Sequence, residues 1–169
     1  MKGGDGVPNF ETVFQENNRF VFRFLMKLCG DASLAEELTQ ETFFRAYMNF
    51  SSLRNKEKAS SWLCKIAQNA YYSWYNEQKR YASADCLEDV SDETDTEDAF
   101  IQKELSQKAL LCLHELEEPY KEVFMLSVLG GFSLKEISST FGKSESWARV
   151  TFYRAKQKLS ERMRQKYEL

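Results

Sequence analysis

Apolar residues recur every three or four positions along most of this chain, a spacing that predicts amphipathic helices rather than strands. The first predicted helix covers residues 10–28, and Gly30 interrupts the pattern after it. A second begins at a capping box formed by Ser33 and Glu36 and runs to about Phe50. The residues of this second helix that we expect to face inward are Leu34, Leu38, Phe43 and Tyr47.

A third helix is predicted after a polar loop at residues 51–60, and it ends near residue 80. Residues 81–98 are acidic and poor in apolar side chains, a composition that predicts a flexible linker rather than a core. Further helical patterns follow to the end of the chain. The sequence therefore predicts an all-α protein with two small helical domains, residues 10–80 and 104–166, joined by an acidic flexible linker at residues 81–103.

The clearest local pattern lies between residues 133 and 159. Ser133 and Glu136 form a capping box that opens a short helix, and Gly142 stands where a chain leaving a helix adopts positive φ. Ser144 is placed to cap a second, longer helix rich in arginine and lysine. Two helices joined by a glycine turn, the second of them basic, predict a DNA-binding helix-turn-helix.

Composition and charge support an intracellular DNA-binding protein. The 169 residues are 43% hydrophobic, and only two prolines and seven glycines interrupt them. A net charge of −3 is not typical of a DNA-binding protein, but the charges are unevenly distributed. Acidic residues cluster in the linker, and eight basic residues lie in the range from Lys143 to Lys166. No apolar run reaches the roughly 20 residues that span a bilayer. With no signal-peptide pattern at the start, a cytoplasmic protein is expected that is not membrane-embedded.

Aromatic residues crowd the third helix in a way that predicts contact with nucleic acid. Tyr71, Tyr72, Trp74 and Tyr75 cover more than one face of that helix, so at least two of them are expected to be exposed. Aromatic rings beside basic side chains can hold unstacked bases. The competing interpretation is that these rings belong to the core.

Catalytic patterns are absent from the sequence: there is no nucleophile elbow, phosphate loop or dinucleotide loop. The four cysteines are scattered and only one histidine, His114, is present, so neither a metal site nor a cofactor is expected. A non-enzymatic protein without a small-molecule substrate is predicted.

Three blocks of the sequence resemble the sigma-70 family of initiation factors, and in particular its extracytoplasmic-function (ECF) type. The block AEELTQETFFRAY at residues 35–47 resembles the acidic part of region 2, and SWLCKIAQNAYYSWYNEQKR at residues 61–80 resembles the part that follows it. The helix-turn-helix, with Trp147-Ala148-Arg149 and Arg154-Ala155-Lys156, resembles region 4. The middle domain of larger sigma factors has no room in this chain, which implies the ECF type.

The resemblance implies partners and site residues. Region 2 would bind the β′ clamp of core RNA polymerase through residues that match Leu38, Gln40, Glu41 and Phe43. It would also read the −10 element of promoter DNA as a melted strand, with a loop at residues 53–60 receiving a flipped base. The candidates for this −10 contact are Leu53, Arg54, Asn69, Tyr72, Trp74, Tyr75, Lys79 and Arg80.

Region 4 would bind the β flap of the polymerase and place its recognition helix on the −35 element. The candidates for this contact are Ser144, Ser146, Arg149, Val150, Tyr153, Arg154 and Lys158. The resemblance also implies an anti-sigma factor as a partner. Two alternatives remain open: an autonomous helix-turn-helix regulator with an N-terminal sensor domain, and a two-bundle adaptor that binds no DNA.

Overall fold

The computed structural model of the protein describes residues 9–81 and 97–168. In these ranges the chain forms seven α-helices, two short 3₁₀ turns at Phe50–Ser52 and Lys56–Lys58, and no strand. The α-helices are α1 (Phe10–Cys29), α2 (Ala32–Met48), α3 (Ala59–Tyr81), α4 (Glu97–His114), α5 (Tyr120–Val128), α6 (Leu134–Phe141) and α7 (Glu145–Tyr167). The all-α prediction is confirmed.

The first three helices pack against one another in an N-terminal helical unit. α1 ends at Gly30, whose φ of 67° lets its amide donate to the Met26 carbonyl. The predicted capping box at Ser33 is wrong: α2 is capped by Asp31, whose carboxylate accepts from the Leu34 amide at 2.8 Å. With Asp31 as the N-cap residue, Ser33 lies inside the first turn of the helix.

The remaining helices form a C-terminal helical unit in which α7 packs against α4, α5 and α6. Its helix-turn-helix follows the predicted pattern. Ser133 and Glu136 form a complete capping box, Gly142 has a φ of 64°, and the Ser144 side chain accepts from the Trp147 amide at 3.1 Å. Most of the predicted linker, residues 82–96, lies outside the described residues, and residues 97–103 belong to α4.

The two helical units pack directly against each other. Their buried side chains belong to one continuous hydrophobic cluster, and α3 contacts both α5 and α6. Between α1 and the C-terminal unit, Lys27 Nζ donates to the Leu129 carbonyl at 3.0 Å, and the rings of Phe20 and Phe132 lie 5.6 Å apart. Among the helices described, none is both long and apolar enough to cross a membrane.

Candidate nucleic-acid and polymerase interfaces

The outward face of α7 presents a row of side chains suited to reading duplex DNA. The opposite side of α7 packs against the rest of the C-terminal unit through four buried residues, Ala148, Thr151, Ala155 and Leu159. At 100° per residue, the side chains farthest from that buried side form one row, here called the α7 strip. The α7 strip consists of Ser146, Val150, Tyr153 and Gln157, all of them exposed, and the exposed Arg149 and Arg154 lie on its two flanks.

Val150 and Tyr153 are 48% and 62% exposed, so both side chains are accessible to a partner. Gln157 was not predicted from the sequence; its Nε2 donates to the Tyr153 hydroxyl at 3.1 Å. The position of Gln157, one helical turn after Tyr153, could have identified it.

The other four −35 candidates are exposed but lie beside the strip or at the helix start. Arg149 Nη2 bonds to Glu145 Oε1 at 3.0 Å, so the free protein already pairs this cation. The Lys158 ammonium lies 5.0 Å from the centre of the Tyr120 ring, on the flank turned towards α5. Ser144 uses its hydroxyl oxygen to cap α7.

On α2, the four polymerase candidates differ in burial: Leu38 and Phe43 are buried, Glu41 is half-buried and Gln40 is exposed. Leu38 and Phe43 are 4% and 5% exposed and belong to the core, so they present little surface to a partner. Gln40 is exposed, and Glu41 is half-buried with an oxygen 2.7 Å from Arg45 Nε. Leu38 and Phe43 point inward, as predicted for these positions of the helix.

Three exposed apolar residues continue the row that Gln40 and Glu41 begin. Phe44, Tyr47 and Met48 are 63%, 63% and 67% exposed, so the inward orientation predicted for Tyr47 is wrong. Helical spacing places these three on the same side as Gln40 and Glu41, and the five residues are here called the α2 strip. An exposed apolar patch beside acidic groups is typical of a protein-binding surface.

The polar −10 candidates are exposed. Arg54, Asn69, Lys79 and Arg80 all reach the surface of the N-terminal unit. Leu53, in contrast, is 6% exposed and packs in the core between the two 3₁₀ turns. A flipped base could not contact Leu53 without movement of this loop.

The aromatic −10 candidates are covered, and the expectation that at least two would be exposed is wrong. Tyr71 and Tyr72 are 4% and 7% exposed, while Trp74 and Tyr75 are half-buried. The Tyr72 hydroxyl donates to Met125 Sδ at 3.1 Å. For Tyr71, Tyr72 and Tyr75 the C-terminal unit supplies this cover, which reasoning about separate units could not foresee.

His114 of α4 joins the two units at these rings. Its ring stacks on Tyr75 with centroids 4.3 Å apart, and its Nε2 lies 2.9 Å from the Tyr71 hydroxyl. Since Nδ1 faces the Leu110 carbonyl, which can only accept, the neutral ring donates from Nδ1 and accepts from Tyr71 at Nε2. Burial lowers the pKa of His114, and the nearby Lys121 cation lowers it further.

Trp74 lies on a different side of α3 from Tyr72. It lines a shallow groove between α2 and α3, together with Phe44 and Glu77. This position connects Trp74 to the α2 strip rather than to the rings beneath the C-terminal unit.

Two protein families match separate parts of the chain, and these parts correspond to the two helical units. The sigma-70 region 2 family matches residues 13–81, and the sigma-70 region 4 family matches residues 106–159. The chain belongs to the sigma-70 family. Its relatives place it among the ECF sigma factors.

Curated sigma factors align with nearly the whole chain. The ECF RNA polymerase sigma factor SigM of Bacillus subtilis (strain 168) is 29% identical over 150 residues, covering 88% of this chain and 91% of that protein. The RNA polymerase sigma factor CarQ of Myxococcus xanthus is 27% identical, covering 93% and 91%.

Among solved structures, the sigma factor RpoE of Bartonella quintana, crystallised with the anti-sigma factor NepR, has a similar fold. The two match with a TM-score of 0.56 and 21% identity, over 90% of this chain and 94% of that one. At this identity the likeness concerns the fold alone.

Proposed function

We propose that this sigma factor binds core RNA polymerase and directs it to promoters, reading the −35 element as duplex and the −10 element as a melted strand. The observation that carries the proposal is the presence of sigma-70 regions 2 and 4 in one chain. A sensor domain would be expected in place of region 2 in an autonomous regulator. An adaptor that binds no DNA would have no use for the exposed α7 strip.

For polymerase binding we propose the α2 strip. Gln40 and Glu41 supply polar contacts to the β′ clamp, while Phe44 and Tyr47 supply apolar area that is already exposed. Leu38 and Phe43 act indirectly, because they hold α2 against the core of its unit. Buried aromatic anchors commonly contribute most of the affinity of such interfaces.

For DNA, the α7 strip reads the major groove at the −35 element. Its polar side chains and the flanking Arg149 and Arg154 meet base edges, while Lys158, further along the helix, meets phosphate. In region 2, Arg54, Asn69 and Lys79 contact the melted −10 strand from positions that are already exposed. Because core RNA polymerase and promoter DNA are its partners, the protein acts in the cytoplasm. Its role is that of a regulator rather than an enzyme.

A further partner is an anti-sigma factor. RpoE of Bartonella quintana was solved bound to one, and this chain shares its fold over most of its length. We propose that an anti-sigma factor binds this chain in the same general way.

Transcription with purified core polymerase tests the function. A library of promoter fragments, followed by sequencing of the transcript starts, should yield a shared pair of −10 and −35 motifs only when core polymerase and this chain are both present. Transcripts independent of the chain, or binding of the chain to DNA that blocks transcription, would favour the autonomous regulator.

A matched pair of double variants tests the α2 strip. Gln40→Ala with Glu41→Lys should reduce co-purification with core polymerase at unchanged melting temperature. The control, Gln15→Ala with Glu16→Lys, makes the same chemical change at exposed positions of α1. Equal co-purification of both variants would contradict the assignment.

A further inference from the structure

The single histidine of the chain lies where the two helical units meet. His114 is the last residue of α4, in the C-terminal unit, and its ring contacts tyrosines of α3, in the N-terminal unit. It stacks on the Tyr75 ring with centroids 4.3 Å apart and lies edge-on to the Tyr72 ring at 5.5 Å. Any effect of an imidazole on this protein therefore arises at the contact between the units.

Two hydrogen bonds fix the protonation of the ring. Nδ1 donates to the Leu110 carbonyl within α4, so Nε2 is left to accept from the Tyr71 hydroxyl across the interface, at 2.9 Å. The contact between the units thus uses the lone pair of a neutral imidazole. Tyr71 is 4% exposed, and its hydroxyl makes no other hydrogen bond among the described residues.

Protonation of the ring removes the acceptor of this bond. Both ring nitrogens then carry a hydrogen, so Nε2 no longer accepts, and the Tyr71 hydroxyl loses the acceptor that it has among the described residues. A buried donor without a partner is unfavourable, because it has given up its bonds to water. The two units therefore bind each other more weakly when the ring is charged.

The surroundings of the ring also oppose a positive charge. Burial lowers the pKa of His114, the Lys121 cation of α5 lowers it further, and the Leu110 carbonyl acts in the opposite direction. The Lys121 ammonium lies 4.0 Å from the centre of the Tyr72 ring, on which the histidine also packs. The face of Tyr75 attracts a cation, but this attraction is weaker than the loss of hydration of an ion that has no carboxylate partner.

Other titratable groups near the contact do not produce the same response to acid. Burial raises the pKa of the phenols and of the Cys29 thiol, so none of these ionises as acid is added. The groups that face the ring or its tyrosine neighbours are Tyr71, Tyr72 and Tyr75 of α3, Cys29 of α1, Glu115, Glu118, Lys121 and Glu122 between α4 and the middle of α5, and Arg162 and Lys166 of α7.

The two carboxylates with a shifted pKa differ from His114 in range or in sign. The hydrogen bond from Lys166 and the pairing with Arg162 hold the pKa of Glu115 below its ordinary value, so this group stays charged where a histidine titrates. Burial raises the pKa of Glu122, so the closed arrangement binds its proton more readily than an open one. Acid acting on Glu122 would therefore favour closure.

We propose that His114 makes the contact between the two helical units sensitive to pH: the neutral ring holds the units together, and protonation of the ring lets them part. In an open arrangement the ring is in water and has its ordinary pKa of about 6.5, and closure lowers that pKa. The contribution of His114 to closure is then fully present above about pH 6.5 and is lost as the pH falls through the lower pKa of the closed arrangement. The inference is independent of the proposed function, since its tests use the chain without polymerase or DNA.

A covered thiol can report the opening. Ser61 of α3 is 4% exposed, and its Oγ lies 2.7 Å from Thr140 Oγ1 of α6, so Ser61→Cys places a thiol beneath the C-terminal unit. The reagent 4,4′-dithiodipyridine, which reacts with thiols at acid pH, should modify it in the open arrangement. The modification rate, divided by that of a cysteine in a short peptide at the same pH, is proportional to the open fraction. A change from about pH 7.5 to about pH 5.5 should raise this relative rate about three- to tenfold.

Two further variants and two natural thiols are the controls. In the Ser61→Cys chain, His114→Gln supplies an amide that takes up no proton in this range, so the relative rate should change less than about twofold. Glu122→Gln removes the other buried acid and should keep the increase, because that acid acts with the opposite sign. Cys64 and Cys112 are 0% exposed, and peptide mass spectrometry should show both remaining slow, since each unit stays folded.

Three results would overturn the inference. They are an equal relative rate at both pH values, an undiminished increase in the His114→Gln variant, and a matching increase at both Cys64 and Cys112, which would mean that the whole chain unfolds. Nitrogen-15 NMR of the native chain gives a measurement without any variant, because the histidine signal has one source. It should show the tautomer with hydrogen on Nδ1 at about pH 8 and a pKa below about 6.5, and the opposite tautomer or a higher pKa would also overturn the inference.

Discussion

Replacing Gln68 by leucine should stabilise the protein, although glutamine occurs naturally there. The side chain is 0% exposed, and neither of its polar atoms has a partner among the described residues. Leaving a buried polar group unpaired costs about 1–3 kcal/mol. Leucine has a similar size and helix propensity, so Gln68→Leu should raise the free energy of unfolding by about 1–3 kcal/mol.

For a chain of this length that gain corresponds to about 2–12 °C in melting temperature, measured by calorimetry. Two variants are matched controls. Asn69→Leu changes a neighbouring amide that is exposed, and should alter stability by no more than about 0.5 kcal/mol. Gln68→Ala removes the amide but leaves a cavity, so it should melt below the leucine variant. A melting temperature for Gln68→Leu at or below that of the native chain would refute the reasoning, because it would mean that the amide is paired.

Three further predictions concern the helix-turn-helix and the contact between the units. Arg149→Ala should cost about 1–3 kcal/mol of binding to a −35 duplex and relax specificity at one position, whereas Lys158→Ala should weaken binding to all duplexes and reduce the salt slope by about one. Competition between matched and scrambled duplexes at several salt concentrations measures both, and an equal loss on both duplexes for Arg149→Ala would make it a phosphate contact. Ser133→Ala removes the capping box of α6 and should lower stability by about 1 kcal/mol in urea unfolding, while the exposed Ser139→Ala on the same helix should have little effect. Burial lowers the pKa of His114, so the contribution of this residue to stability should be fully present above its ordinary pKa of about 6.5 and be lost as the pH falls below it. His114→Gln should therefore flatten the pH dependence of the free energy of unfolding between about pH 7.5 and 5.5. An unchanged pH dependence would contradict this role of His114.

Short-range features were accessible from the sequence because their causes are short-range. A capping box joins residues three apart, and a glycine at a helix end is needed for the local backbone, so Ser133 and Gly142 could be assigned without any knowledge of the tertiary fold. The exposed row on α7 follows from the same kind of periodicity. The error at Ser33 was also local: Asp31 caps the helix by accepting from the Leu34 amide, so the helix begins two residues earlier than predicted.

Which candidate site residues are buried is decided by tertiary packing, and this packing cannot be deduced from a motif match. Helical spacing places Leu38 and Phe43 on the inner side of α2 and Phe44 on the outer side, but a motif match includes inner and outer residues alike. The polymerase surface that we propose therefore combines Gln40 and Glu41 with exposed neighbouring positions of the same helix.

The aromatic cluster of α3 shows what only the tertiary structure could decide. The sequence shows that these rings are too numerous for the core of a small three-helix unit. It predicts a linker before the second unit, however, and so gives no sign that this unit packs against α3. In the structure that unit covers Tyr71, Tyr72 and Tyr75, with His114 stacked on Tyr75 and the Tyr72 hydroxyl donating to Met125 Sδ. These partners lie tens of positions away along the chain, and such contacts arise from the shape of two folded surfaces rather than from any local pattern of residues.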